Sequence, residues 1–511
     1  MPKRQADEDE TLASPSTALK NGQRATASAE GENQDDDMGE FEDPYGDDFE
    51  SEDEIEEEED EIIELNDDDG YQDEEAAEGA EGSEEKSKPK KETPRLYLPH
   101  RSAPLGPEEA LEPDPTVYDM LHRINLNWPC LSFDILPDNL GNERRGYPKT
   151  AYFVTGTQAK RKKENEITVV KLSELSKTLE NEDDSEAESD NDDSDPILES
   201  RSLPTTDTTN RIRVSPHAAK TNEYLTASMS ESGDIYIWDI TPHLSAFDTP
   251  GTVITKAMNR PVHTIRAHGG VEGYAVDWSP HVTTGQLLTG DVTGRIHLTT
   301  RGSSSWTTDK VPFVGHDSGA SVEELQWSQS EKSVFASGGS DGFIRVWDIR
   351  SKRHKPALSV RASTSDVNVM SWSKNVSYLL ASGHDNGSWS IWDLRTFRAN
   401  GNDESPQPAA SFSFNKSAIT SIEFHPTEES IVAVSSEDNT VMLWDLSVEA
   451  DDEEIAGQRL DAAGELDDIP PQLLFVHWQK DVKEVHWHHQ IPGMVMSTGG
   501  EGISVWKSIS V

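Results

Sequence analysis

Across 511 residues the chain carries 97 Asp or Glu against 45 Lys or Arg, a formal net charge of -52, with one cysteine, Cys130. A lone cysteine excludes an intrachain disulfide and a thiolate zinc centre and suits a reducing compartment. No apolar run reaches the ~18 residues that span a bilayer, and the N-terminus lacks the apolar core of a secretory signal, so a soluble, intracellular protein with no membrane partner is expected.

The charge is concentrated. Residues 1–92 hold 36 acids against eight bases, and the stretch 50–69 places fourteen carboxylates in twenty positions, with only Ile55, Ile62, Ile63 and Leu65 for burial. Ordering such a run costs roughly 1–2 kcal/mol per residue in backbone entropy, far beyond what four aliphatic side chains return, so a disordered tail is predicted. Residues 180–199, with eleven acids, and 449–468, with nine acids and one base, form two further acidic stretches. The remainder is nearly neutral and long enough for one large domain with insertions. Lys86, Lys88, Lys90 and Lys91 interrupt the tail as a basic run readable by nuclear import receptors; "KRKK" at 160–163 is a second.

After a linker beginning at residue 93, Asp114 reads as a cap and Pro115 as a first helical position, with Val117, Met120, Leu121 and Ile124 at helical spacing before Pro129. A helix of about three turns is predicted there, with Tyr118, His122 and Arg123 facing outward. The extended run 130–137, "CLSFDILP", follows it.

From there the sequence repeats. Strand, turn, strand and Trp-Asp recur at 238, 347, 392 and 444, with degenerate copies ending at Thr299 and Trp506 and a diverged first copy at "NEITVVKLSEL", giving seven units. Before most of them lies an alternating strand ending in an aromatic residue, three times preceded by His, at 268, 316 and 477. Only five residues follow Trp506, too few for a fourth strand in the last unit; residues 130–137 are the predicted donor that closes the ring and hides its edge. No phosphate loop, nucleophile elbow or zinc-protease motif is found, so neither catalytic residues nor cofactor are expected. "HWHH" at 486–489 reads as a strand end rather than a metal site, so no metal is assigned.

The Trp-Asp units resemble the WD-repeat family, which implies an all-β, seven-bladed β-propeller over residues 128–511, preceded by the helix and the acidic tail. In that family a His, a Ser or Thr, an Asp and the blade Trp are hydrogen-bonded, a set that the resemblance places at His316, Ser337, Asp341 and Trp347. The helix together with "DDIPPQLLFVHW" resembles the histone-binding WD proteins of chromatin assembly complexes, in which a helix and a Pro-Pro loop grip a partner helix. That resemblance implies contacts at Tyr118, Leu121, His122, Asp467, Asp468, Ile469, Pro470, Pro471, Leu473 and Phe475.

Over the whole chain the acidic tail, "NWPCLSFDILPDNLG" and "YFVTGTQA" are more similar to the glutamate-rich WD-repeat proteins of ribosome biogenesis. This implies a non-enzymatic, monomeric chaperone of ribosomal protein uL3, working in the nucleus and nucleolus on pre-60S particles, with a cytoplasmic pool for client capture. Histones are the alternative client. A third reading is a substrate receptor of a cullin-type ubiquitin ligase, with Arg350 and Arg395 as adaptor contacts. Direct nucleic-acid binding is not expected, because the net charge opposes it.

Overall fold

The computed structural model describes residues 111–178, 195–397, 406–449 and 469–511. The acidic tail, the linker from residue 93, Lys86, Lys88, Lys90, Lys91, Asp467 and Asp468 lie outside them. Seven antiparallel sheets form the seven blades of a propeller, six of them four-stranded and the third five-stranded. The first strand of each blade lies beside the first strand of the next, and that of blade 7 meets that of blade 1, which closes the ring. The Trp-Asp units occupy second and third strands, because β-branched runs joined by Gly- or Asn-centred turns favour hairpins.

The predicted helix is not formed. Pro115–Val117 makes one 3-10 turn, in which the Asp114 carboxylate accepts the Thr116 N–H at 2.9 Å, and Tyr118–Ile124 then runs as a strand. Its helical spacing arises because it is covered on both faces. Met120 and Ile124 join the core shared with blade 1, while Tyr118 and Leu121 join the core shared with blade 6. A strand buried on both sides loses its two-residue alternation, and a short apolar run is then indistinguishable from a helix face.

This strand, and not residues 130–137, closes the ring. It pairs antiparallel with Gly502–Ser508 in the register Leu121 opposite Trp506 and Ile124 opposite Ile503, as the outer strand of blade 7. Ser132–Leu136 is instead the innermost strand of blade 1. The need for an N-terminal donor is met, and the donor lies one strand earlier than the sequence suggests.

Candidate functional site

Of the sequence-nominated contact residues, Tyr118, Leu121, His122, Leu473 and Phe475 fall on two neighbouring outer strands, Leu473–Trp478 of blade 6 and the closing strand of blade 7. An irregularity between Tyr118 and Met120 turns Tyr118 onto the face of Leu121. There the Tyr118 ring meets the edge of Phe475 at 5.2 Å, and its hydroxyl lies 2.9 Å from Nδ1 of buried His477. Phe475 lies 5.6 Å from Trp506, and half-buried Leu121 packs on the same cluster. Tyr118, Leu121 and Phe475 thus line one apolar seam, where burial pushes the His477 imidazole down to about 3 and keeps it neutral.

The Pro-Pro turn borders this seam. Pro470 is half-buried and Pro471 exposed; the Leu473 N–H donates to the Pro470 carbonyl at 3.0 Å, and the Gln472 amide donates to the Val448 carbonyl at 2.9 Å, tying the loop to the strand it left. Ile469 is half-buried at its start. Two candidates point elsewhere. Leu473 packs on the cluster shared with blade 5, and His122 lies on the opposite strand face, with Nε2 2.9 Å from the Ser176 carbonyl.

The acidic segments leave the propeller around this seam. In blade 6 residues 450–468, and in blade 1 residues 179–194, connect the third strand to the fourth. The chain enters blade 7 beside Ser508, the end of that blade's third strand. Third strands of equivalent blades end on one side of the ring, so the ends of the insertions of blades 6 and 1 and the start of the closing strand share that side.

The WD tetrad residues are joined: His316 Nε2 is 2.7 Å from Ser337 Oγ, Trp347 Nε1 donates to the same oxygen at 2.8 Å, and His316 Nδ1 is 3.1 Å from Asp341. Arg345, which sequence reasoning missed, adds an ion pair to Asp341 at 2.7 Å. Burial lowers the His316 pKa. Burial also pushes the Asp341 carboxyl up, but bonds from His316 and the Asp317 N–H outweigh it and hold it low. Blade 3 carries a comparable set, His268 with Thr289 and Asp291 at 2.8 Å each, signalled by "RAHGG" and "TGD" but lacking the Trp.

Sequence reasoning missed a second feature, a buried ionic network on the innermost strands. Glu484 accepts from Arg213 at 2.6 Å, from Arg211 at 2.9 Å and from the Phe133 N–H at 2.9 Å, joining blade 7 to blades 1 and 2. His486 donates through Nδ1 to Glu423 at 2.8 Å, while its Nε2 stands 3.6 Å from Glu484, an ion-pair distance. Burial alone would discharge His486; the two carboxylates prevail and raise its pKa to about 10. Burial likewise works against Glu423, which the His486 bond holds down at about 2. The signal was the polar residue preceding each inner-strand aromatic: Asp277 accepts the Trp327 N–H, Ser371 that of Phe424, and Glu423 that of Trp487, each one blade further on. His488 is also engaged, its Nδ1 accepting the N–H groups of Gln490 and Ile491 in the turn that follows its strand.

Arg350 and Arg395 are exposed, each forked onto the Asp of its own Trp-Asp pair with its closest nitrogen at 2.6 Å; Arg395 also lies 3.7 Å over the Tyr378 ring.

Comparison with known proteins agrees with this architecture. The WD domain, G-beta repeat family matches residues 308–348, 354–393 and 406–445, and the family of the histone-binding protein RBBP4, a component of the CAF1 complex, matches residues 108–176. The chain is 46% identical to ribosome assembly protein rrb1 of Schizosaccharomyces pombe over 96% of both chains. It is 44% identical to Protein HEAT STRESS TOLERANT DWD 1 of Arabidopsis thaliana over 78% of this chain and 88% of that one. With the glutamate-rich WD repeat-containing protein 1 of Dictyostelium discoideum it shares 40% identity, over 79% of this chain and 83% of that one.

Proposed function

The chain belongs to the glutamate-rich WD-repeat family, and from that premise we propose that it is a non-enzymatic ribosome assembly factor that shields ribosomal protein uL3 and delivers it to early pre-60S particles. The observation that carries this reading is the apolar seam of Tyr118, Leu121 and Phe475, beside a Pro-Pro turn, in a chain whose sequence adds acidic segments before residue 93 and between strands of blades 1 and 6. A basic, rRNA-binding client needs both parts. Polyanionic segments neutralise its charge through many weak contacts, while a shaped apolar seam confers choice. The factor would work in the nucleus and nucleolus and meet its client in the cytoplasm.

Replacing Pro470 and Pro471 with Gly is expected to weaken uL3 binding by ~1–3 kcal/mol through lost loop preorganisation, with the melting temperature unchanged. Leu121→Ser should weaken it similarly; Phe475→Ser is the poorer probe, because that ring also packs on Tyr118 and Trp506. Polylysine binding, which only the acidic segments support, should barely change in the proline variant. Titration calorimetry of uL3 and polylysine against both proteins distinguishes the outcomes, and equal uL3 affinity would remove the seam from the reading.

Removing residues 1–92 should leave the melting temperature unchanged or slightly higher, because self-repulsion is relieved. The loss of uL3 affinity should shrink as salt rises, since exposed charges act over about 8 Å at physiological ionic strength. A deficit that grows with salt contradicts this.

Histones are the second reading, favoured by the histone-binding family match over residues 108–176. Competition between uL3 and histones in a cell extract at physiological salt separates the two. Recovery of a ligase adaptor in the same pull-down, lost on Arg350→Ala and Arg395→Ala, would point to the ligase-receptor reading instead.

A further inference from the structure

We propose that the rim of blades 2 to 4 is a binding surface for single-stranded RNA, centred on a cleft lined by His263 and Trp306. The inference stands apart from the client seam. It begins from sign: in a chain of net charge -52, residues 249–271 hold three Lys or Arg and residues 349–364 hold five, with no acid in either stretch. The fold joins them. Arg266 of blade 2 and Lys310 of blade 3 line one cleft of about 390 Å³. Beyond it, His354 Nδ1 lies 3.0 Å from the Val311 carbonyl and the Lys355 ammonium donates to the Val314 carbonyl at 3.0 Å, so the turn bearing exposed Lys352 and Arg353 continues the strip. Acids meet part of it: Asp309 lines the cleft, Asp234 pairs with Arg266 at 3.3 Å, Glu223 with Arg301 at 2.7 Å and Asp348 with Arg350 at 2.6 Å, while no ion pair engages Lys310, Lys352 or Arg353 among the described residues.

Aromatic groups decide between ligands. The His263 and Trp306 rings lie 6.0 Å apart and 18° from parallel, with the Arg301 guanidinium 5.6 Å from the Trp306 centroid. Two near-parallel aromatic rings beside Arg266, Arg301 and Lys310 suit a stacked base flanked by phosphates, whereas an acidic peptide makes no use of the stacking surface. The opposing charge is concentrated in sequence, in residues 1–92, 180–199 and 449–468, and the basic stretches contain none of it.

The test is fluorescence anisotropy of the full chain with a labelled, mixed-sequence single-stranded RNA of about 12 nucleotides, between about 50 and 200 mM salt. Arg266→Glu with Lys310→Glu, both on exposed side chains, should weaken binding at least about tenfold and reduce the slope of log affinity against log salt by roughly 1.4, two phosphates' worth. Trp306→Leu should weaken binding about fivefold or more with the slope unchanged. Trp306 packs partly on its neighbours, so circular dichroism accompanies that variant, and the charge reversal decides alone if it fails to fold. Absence of binding at the lowest salt, or equal binding by the charge-reversed protein, overturns the proposal. Displacement of RNA by polyglutamate at matched charge overturns it too, by assigning the strip to acidic peptide.

Discussion

A chain that begins at Cys130, and so lacks the strand Tyr118–Ile124, is expected to lose the folded monomer, whereas a chain that begins at Leu111 keeps it. The strand buries Tyr118, Met120 and Ile124, at about 1.5–3 kcal/mol each for side chains of this size, and covers the edge of Gly502–Ser508. The sum is a large part of the ~5–15 kcal/mol that typically separates native from unfolded protein. Without it blade 7 has three strands and an uncovered edge, a template for pairing between chains. Size-exclusion chromatography should find the longer chain monomeric and the shorter one aggregated or in the pellet. A monomeric, cooperatively melting short chain would mean that closure contributes little.

Glu484→Gln is the second change with a large expected effect, because it leaves the guanidinium groups of Arg211 and Arg213 facing a neutral amide in a site where Glu484 is almost fully buried. Breaking one side of a buried ionic cluster typically costs ~3–5 kcal/mol, and here the Phe133 N–H that docks blade 1 loses its charged acceptor as well. Replacing the whole cluster with apolar residues of matching volume should cost less than the single change, since the desolvated charges disappear together.

The same cluster sets a pH dependence. His486 has its pKa raised to about 10 by Glu484 and Glu423, so its contribution is complete below the ordinary histidine range, near 6.5, and is lost as pH rises towards 10. Glu423, held at about 2, contributes above the ordinary glutamate range and loses that contribution as pH falls towards 2. Urea midpoints measured across pH should decline above about 7 in the parent protein and decline less in His486→Gln. An identical decline in both would assign the alkaline loss to other groups.

The blade count could be read from the sequence because each hairpin carries its own turn chemistry and ends in the same pair, Trp-Asp, in four of seven units. The closing strand could not, for a physical reason. One face packs toward blade 1, which follows it directly, and the other toward blade 6, far along the chain, and this two-sided burial gives Val117, Met120, Leu121 and Ile124 a helical rhythm. Asp114 and Pro115 then supplied authentic helix-start signals to what is a single turn. The inner ionic ring escaped notice because each member, such as Asp277 or Glu423, sits alone in an ordinary alternating strand and meets its partner only across a blade boundary. Of the site residues, Tyr118, Leu121 and Phe475 converge although the element assigned to the first two was wrong. Their convergence depends on ring closure, which brings the closing strand beside Leu473–Trp478 whether it is helix or strand.

Ring closure also orders events in time. During vectorial synthesis Tyr118 and Leu121 emerge long before the strand that receives them, Gly502–Ser508. Until then the seam has only one wall, and no partial product offers both Leu121 and Phe475 in place. Tyr118 and Leu121 therefore reach their packed positions only once blade 7 has formed. The long sequence separation slows that step, because a large loop must close before its contacts form.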